Sequence, residues 1–337
     1  MVSMSTPLGW GVVGTGDVCR YIATDLALLD STRLVAVASR SAKTATGFAA
    51  ELGFDRGCTF DQMLQDDAVD VVYLGTPHST HASLAVAALE AGKHVLVEKP
   101  LGVNAAEVQR VADAANAAGR FAMEGMWMKF HPYYRALLDD LHAGSIGDLS
   151  AVRASFGLPF GARDSARWST ELASSTLLDQ GIYPVTLAHD LLGEPQSVSA
   201  SADHRGDGVD VSVEATLHYA GGRYAQIAAS MVGYLEPTAA VSGTGGWVEV
   251  PAPFWATDRY TRHAGDIGEA LMKPVVVSFG REGFGYVSML RAVGEAVRAG
   301  LLEHPIHPLS STVAVARTLD RIRAAAVATP HPTEIAS

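Results

Sequence analysis

The pattern of apolar and polar positions changes rhythm about a third of the way along the chain. Over the first 125 residues, short apolar runs rich in β-branched residues alternate with longer Ala-rich stretches. Residues 8–13, 33–38, 70–74, 95–97 and 121–123 read as strands. Residues 21–29, 42–52, 81–91 and 105–118 carry helical spacing between them. Gly92 and Gly119 stand where helices end, as expected of residues that adopt a left-handed cap without strain. Strand–helix alternation of this kind predicts a doubly wound parallel sheet.

After Met126 the rhythm changes. Residues 149–156, 209–219, 223–231 and 247–250 read as strands, with turns such as Ala220-Gly221-Gly222 between them. Helical spacing returns at 132–143, 177–192, 286–299 and 311–326. The expectation is α/β: a doubly wound N-terminal domain, residues 1–127, and an α+β domain, residues 128–337, with a large open mixed or antiparallel sheet.

The first strand runs into Gly14-Thr15-Gly16 and then a helix. Two glycines there permit a tight turn and let the backbone approach a pyrophosphate. The first helical amides, from Asp17 and Val18, and the helix dipole then face the anion. Cys19 occupies the third small-residue position, where Gly or Ala is usual. The second strand ends at Ser39-Arg40-Ser41 with no Asp or Glu to bind a ribose 2′-hydroxyl. Arg40 can instead pair with a 2′-phosphate, Ser39 and Ser41 can donate to it, and Lys43 adds charge. The cofactor predicted is NADP(H). The strand at 95–97 ends in Glu98-Lys99-Pro100. Ligands bind beyond the carboxyl ends of such strands, so Lys99 is expected at the cofactor, although spacing alone also allows a surface lysine. Pro100 biases Lys99 toward an extended conformation and permits a cis bond.

These motifs, with Thr76-Pro77-His78-Ser79-Thr80-His81, Ala91-Gly92-Lys93-His94 and the later Asp179-x-Gly181-x-Tyr183, resemble the glucose–fructose oxidoreductase/inositol dehydrogenase (Gfo/Idh/MocA) family over essentially the whole chain. Glu124-x-Met126-Trp127-x-Lys129-Phe130-His131-Pro132 and Ser39-Arg40 are similar to its NADP-dependent dimeric dihydrodiol dehydrogenase/D-xylose dehydrogenase branch. The resemblance implies that Thr76, Pro77, His78, His81, Glu98 and Lys99 serve the cofactor, and that Trp127 walls its nicotinamide end. It also implies that Lys99 lies beside the reacting carbon. Oxidation of a secondary alcohol needs a base for the hydroxyl proton. Free Tyr and Lys have pKa values of about 10 and 10.4, so neither suits neutral pH alone, but an ammonium beside a phenol stabilises the phenolate. Tyr183 is therefore expected as general acid/base, Lys99 as its electrostatic partner and hydroxyl donor, and Asp179 as an orienting group. Relatives often carry three glycines where this chain has Ala173-Ser174-Ser175, which implies either a less tight loop or Ser side chains that enter the pocket.

Pocket candidates are Trp127, Phe156, Arg163, Arg167, Trp168, Trp255 and Phe284, an aromatic set suiting a sugar ring face or a cyclic diol. The activity expected is hydride transfer between NADP(H) and a sugar, polyol or cyclic trans-diol. Retained-cofactor sugar–sugar exchange, NADPH-dependent ketosugar reduction and an NADP-binding regulator are the alternatives. The presence of both Lys99 and Tyr183 counts against the last of these. The chain has 337 residues and a net charge of −11, which opposes sequence-independent nucleic-acid binding. Its 12 His form no metal-ligand pattern; His78 and His81 come nearest, without acids or cysteines to complete a set, and no metal is expected. Two cysteines, no secretory leader and no apolar run of spanning length predict a cytoplasmic protein without a membrane partner. The apolar strand at 225–231 predicts a homodimer or tetramer through the second domain's sheet.

Overall fold

The structure, a computed structural model, describes residues 6–161 and 166–328. The chain forms two compact units. One holds the described residues up to His131 together with Arg281–Val313, and the other holds Pro132–Gly280 with the described residues from Ala314 onward. This differs from a single break after residue 127. The helix Val287–Arg298 buries Val287, Met289, Leu290 and Val293 and packs in the first unit, although it follows the second unit's strands in sequence. An amphipathic pattern says that a helix needs a partner, not which partner.

In the first unit β1 (Leu8–Val13), β2 (Thr32–Ala38), β3 (Arg56–Cys58), β4 (Val71–Leu74), β5 (His94–Val97) and β6 (Ala122–Glu124) form a parallel sheet in the order β3-β2-β1-β4-β5-β6. Helices α1 (Asp17–Leu26), α2 (Ala42–Leu52), α3 (Phe60–Leu64), α4 (His78–Glu90) and α5 (Ala105–Ala118) connect the strands. Every residue of β4 is buried, as expected of a strand covered on both faces. Because all six strands are parallel, their carboxyl ends share one edge, and the order reverses between β1 and β4. That reversal is the switch point at which ligands bind in such sheets. β3 and α3 were not foreseen; at three and five residues they are too short to show a period.

The second unit is built on nine strands: β7 (Leu149–Gly157), β8 (Ser197–His204), β9 (Asp210–His218), β10 (Tyr224–Ser230), β11 (Ala239–Gly243), β12 (Gly246–Val250), β13 (Arg259–Ala264), β14 (Val275–Ser278) and β15 (Ala326–Ala328). Their order is β14-β13-β12-β11-β7-β10-β9-β8-β15. The β7/β10 and β8/β15 pairs are parallel and the rest antiparallel, so the sheet is mixed. α6 (Pro132–His142), α7 (Ile182–Leu192) and the short α8 (Ile267–Met272) complete the unit, with α7 packed on β7 and β10. In β10 the period of two buries Ala225, Ile227 and Ala229 and exposes Gln226. One side of the apolar run therefore meets the core of its own unit, and Tyr224, Gln226 and Ala228 lie on the other side.

Candidate active site

The sheet edge of the first unit gathers most of the expected cofactor residues. Gly14 has φ 113°, a conformation open to Gly, and a Cβ there would lie 2.5 Å from the Gly75 carbonyl oxygen and 2.9 Å from Cys19 Sγ. Cys19 is fully buried, and its thiol donates to that same oxygen at 3.3 Å. Burial pushes the thiol pKa up to about 12, so Cys19 is a packing residue. A Cβ at Gly16 would meet nothing within 4 Å, and α1 starts there without a side-chain cap. Open space before uncapped helix amides fits a pyrophosphate between Gly14, Thr15 and Gly16 and the amides of Asp17 and Val18. At the end of β2, Arg40 is exposed and forms no ion pair among the described residues. Ser41 caps α2, its oxygen accepting from Thr44 N at 3.3 Å, and its hydroxyl proton stays available to an anion. The Ser39 oxygen lies 3.4 Å from Ser41 N.

β4 delivers Thr76, Pro77 and His78 to the same edge, where α4 begins with Pro77 as cap. Thr76 Oγ1 lies 2.7 Å from Thr80 Oγ1, and the His78 and His81 rings are 5.8 Å apart. His81 is fully buried. Its Nδ1 lies 2.7 Å from the Pro100 oxygen and its Nε2 2.6 Å from the Thr76 oxygen. Burial, aided by nearby Lys99, lowers its pKa, while the contacts to the Pro100 and Thr76 carbonyls act in the opposite direction. β5 delivers buried Glu98 and half-buried Lys99, followed by a cis Lys99-Pro100 bond. β6 leads to buried Trp127, stacked on Tyr286 with ring centroids 4.5 Å apart and planes 25° apart. His131 lies 4.9 Å away on the same ring, its pKa lowered to about 4 by burial and then by Arg281.

Sequence reasoning missed Asp25. It is a buried carboxylate on α1 that accepts from Phe284 N and Tyr286 N at 2.8 Å each. The signal was an acid on the apolar stripe Ile22, Ala23, Leu26. Through Asp25 the phosphate-loop helix holds the segment that supports Trp127. Phe284, expected in the substrate pocket, lies on this segment instead, 44% exposed against Tyr21 of α1.

In the second unit residues 177–192 are helical as expected, but residues Leu177–Gly181 form a π turn. Pro184 has no N–H to continue the ladder, and the wide turn before it absorbs the missing bond. Asp210, also missed, accepts from Leu177 N at 2.7 Å, and Ser175 Oγ accepts from Leu178 N at 3.1 Å. Burial raises the pKa of Asp210. Ser174 donates to the Arg167 carbonyl oxygen, so both serines serve the backbone. Asp179 is half-buried in the π turn, and buried Tyr183 follows in α7. Phe156 and Trp255 stack at 3.5 Å with planes 7° apart, and Tyr183 leans on both at 5.6 and 5.8 Å. Such pairs contribute roughly 0.5–1.5 kcal/mol beyond area burial and hold a flat wall beside the phenol. Trp168 belongs to a different cluster, with Val209, Val211, Met231 and Phe160; Arg167 lies over the Phe160 ring at 4.1 Å. Arg163 lies outside the described residues.

Two family profiles match this chain. The oxidoreductase family with an NAD-binding Rossmann fold covers residues 8–126, and the GFO/IDH/MocA C-terminal domain covers residues 134–249. The chain is 33% identical over 329 residues to trans-1,2-dihydrobenzene-1,2-diol dehydrogenase of Bos taurus, covering 94% of this chain and 96% of that protein. The chain belongs to the Gfo/Idh/MocA oxidoreductase family. Among solved structures of this fold, the 3-ketoreductase KijD10 from Actinomadura kijaniata, in complex with NADP, superposes with a TM-score of 0.82 at 28% identity, covering 95% of this chain and 98% of that one. The aldose–aldose oxidoreductase from Caulobacter crescentus shares the fold, with a TM-score of 0.85 at 24% identity over 95% of this chain and 97% of that one. As a Gfo/Idh/MocA member the protein is an oxidoreductase acting on CH–OH groups.

Proposed function

We propose that this enzyme moves hydride between NADP(H) and a secondary alcohol or carbonyl carbon of a sugar, polyol or cyclic trans-diol. The observation that carries the reading is Lys99 at the carboxyl end of β5, on the edge where Gly14, Gly16 and Arg40 also stand. The bovine relative is named for a trans-diol, and KijD10 is a 3-ketoreductase bound to NADP, which supports the substrate class and the cofactor.

When bound, NADP(H) supplies or accepts the hydride. The Gly14–Gly16 turn and the first amides of α1 hold its pyrophosphate, and Arg40 with Ser39 and Ser41 its 2′-phosphate. Thr76, Pro77, His78 and Glu98 line the dinucleotide, and Trp127 closes the nicotinamide end. His81 packs between the Thr76 and Pro100 carbonyls, within hydrogen-bond distance of each. Lys99 donates to the substrate oxygen. Tyr183 takes the hydroxyl proton in oxidation and returns it in reduction. Asp179 orients the reacting hydroxyl, and the Phe156–Trp255 plane receives the apolar face of a ring.

No helix of the described residues is long and apolar enough to cross a membrane. Both cysteines are buried free thiols, which supports a reducing, cytoplasmic compartment. A homo-oligomer is proposed through the edge of the second sheet: α8 and β14 expose Ile267 (81%), Leu271, Met272 (79%), Val275 and Val276 around a strand with one unpaired side.

The test is a panel of aldoses, inositols, ketosugars and trans-1,2-diols followed by cofactor absorbance with NADP+ and NAD+, and in reverse with the reduced cofactors. Turnover of a ring sugar or cyclic diol with NADP+ preferred is expected. Absence of any turnover in a protein that binds NADPH would overturn the enzyme reading.

A further inference from the structure

Three buried side chains from three elements grip the main chain that carries Lys99. Lys99 N donates to Glu98 Oε2 at 3.0 Å, the Pro100 oxygen meets His81 Nδ1 at 2.7 Å, and Leu101 N donates to Glu124 Oε1 at 2.9 Å. Glu124, the last residue of β6, uses its second oxygen as well: Oε2 lies 3.1 Å from His307 Nε2. Thr312 Oγ1 lies 3.3 Å from that same nitrogen. Leu101, Glu124, His307 and Thr312 are each no more than 2% exposed. His307 comes 183 positions after Glu124 and reaches it from the segment that returns to the first unit.

A hydrogen-bonded acid and imidazole are a costly way to fill a core. Apolar residues of like volume usually stabilise as much or more, because two polar groups need not be taken out of water. What an apolar pair cannot do is accept from the Leu101 amide. Each main-chain partner of residues 99–101 named above is a side chain fixed in turn by a strand, a helix or a second side chain. The span between Glu98 and Glu124 is therefore held at both ends. Catalytic groups need this: a displacement of about 1 Å can cost roughly 100-fold in rate.

We infer that Glu124 and His307 are positioning residues for Lys99. His307 orients the Glu124 carboxylate, the carboxylate fixes the Leu101 amide, and the amide sets where the Lys99 side chain begins. The inference rests on Lys99 being the substrate-facing group.

The test compares Glu124→Gln, which keeps an acceptor for the amide, with the double apolar variant Glu124→Leu/His307→Leu, each with and without Lys99→Ala. Three quantities are read: exchange of the Leu101 amide without cofactor, NADPH affinity by fluorescence titration, and single-turnover rate. The apolar double variant should fold, keep its NADPH Kd within about 3-fold, exchange the Leu101 amide at least about 10-fold faster and lose about 10- to 100-fold in single-turnover rate. Glu124→Gln should stay within about 3-fold of wild type in all three. In the Lys99→Ala background the apolar pair should cost no further rate while still freeing the amide. A full single-turnover rate in the apolar double variant, beside a slow Lys99→Ala, would overturn the inference alone. A further loss in the Lys99→Ala background equal to that in wild type would overturn it too, by making the pair merely structural. A fast Lys99→Ala would remove the reading of Lys99 itself. If the apolar double variant does not fold, His307→Gln beside Glu124→Ala decides on the same readouts: His307→Gln should keep rate and amide protection and Glu124→Ala lose both, and equal rates in the two would overturn the inference.

Discussion

Ala173 holds φ 57°, a left-handed conformation that costs an ordinary residue about 1–2 kcal/mol and Gly almost nothing. The expectation that Ser174 and Ser175 enter the pocket gave way to backbone hydrogen bonding, and the strain falls on the residue before them. Ala173→Gly should therefore raise the unfolding free energy by about 0.5 kcal/mol, after subtracting the extra freedom Gly has when unfolded. Denaturant melts of the two proteins check this, and a less stable Gly variant would contradict it. Arg40 acts at the same scale. With no acid at the end of β2, Arg40→Asp should reverse cofactor preference by removing the 2′-phosphate partner and offering an acceptor to a 2′-hydroxyl. Catalytic efficiency with both cofactors is the measure; a variant that still prefers NADP+ would show that Arg40 is only a surface residue.

At the scale of elements, the segment to watch is the π turn Leu177–Gly181. Its first amide is held by Asp210 across a gap of 33 positions. Asp210→Asn keeps an acceptor and should be nearly silent. Asp210→Ala leaves the amide unpaired and should cost about 1–2 kcal/mol of stability. Because Asp179 sits in that turn, Asp210→Ala should also lower kcat more than it raises the cofactor Kd. Equal kcat in the two variants would mean that the turn does not depend on its cap. The sequence announced this helix but not its widening, since periodicity cannot separate a π turn from an α turn over five residues. The same limit explains the missed strands. β8, Ser-Val-Ser-Ala-Ser-Ala-Asp-His, alternates small polar with small apolar residues, and β13 carries two arginines and a histidine divided between its two faces. In contrast, β1, α2 and α5 have the bounds expected, because each joins a clear period to a cap: Ser41 and Gly53 for α2, Asn104 and Gly119 for α5. Among site residues, those on the sheet edge were legible because parallel strands dictate where they end. Asp25, Asp210 and His307 were not, because each acts on a partner far away in sequence.

For the whole molecule, acid should be the vulnerable side. The His131 pKa falls from the ordinary 6.5 to about 4, mainly through burial, and His81 shifts in the same direction. Unfolded, His131 takes its proton near pH 6.5; folded, only near pH 4. Between these values the unfolded state binds more protons, so this contribution is full above about pH 6.5 and is lost as pH falls toward 4. Unfolding free energies from denaturant melts at pH 7 to 4 should fall more steeply for wild type than for His131→Gln, by at most about 1.4 kcal/mol per pH unit; parallel slopes would contradict the assignment. Association belongs to this scale as well. Light scattering should show a dimer or larger species at micromolar concentration, and Leu271→Glu with Val276→Lys should shift it toward monomer. A monomeric wild type would dismiss the exposed sheet edge as an interface.

The central claim is that the proposed hydride transfer needs both Lys99 and Tyr183, while other residues hold the cofactor. The most direct test is the single-turnover rate on the best substrate of the panel, with NADPH affinity measured in parallel, for Lys99→Ala, Tyr183→Phe and the double variant. Each single variant should lose about 100- to 10,000-fold in rate while cofactor affinity stays within a few-fold, since other residues hold the phosphates. The double variant should be little slower than the slower single one, as groups that work together are not additive. Near-full rate in Tyr183→Phe would contradict the account, leaving the phenol as packing against Phe156 and Trp255 and passing the proton to Lys99.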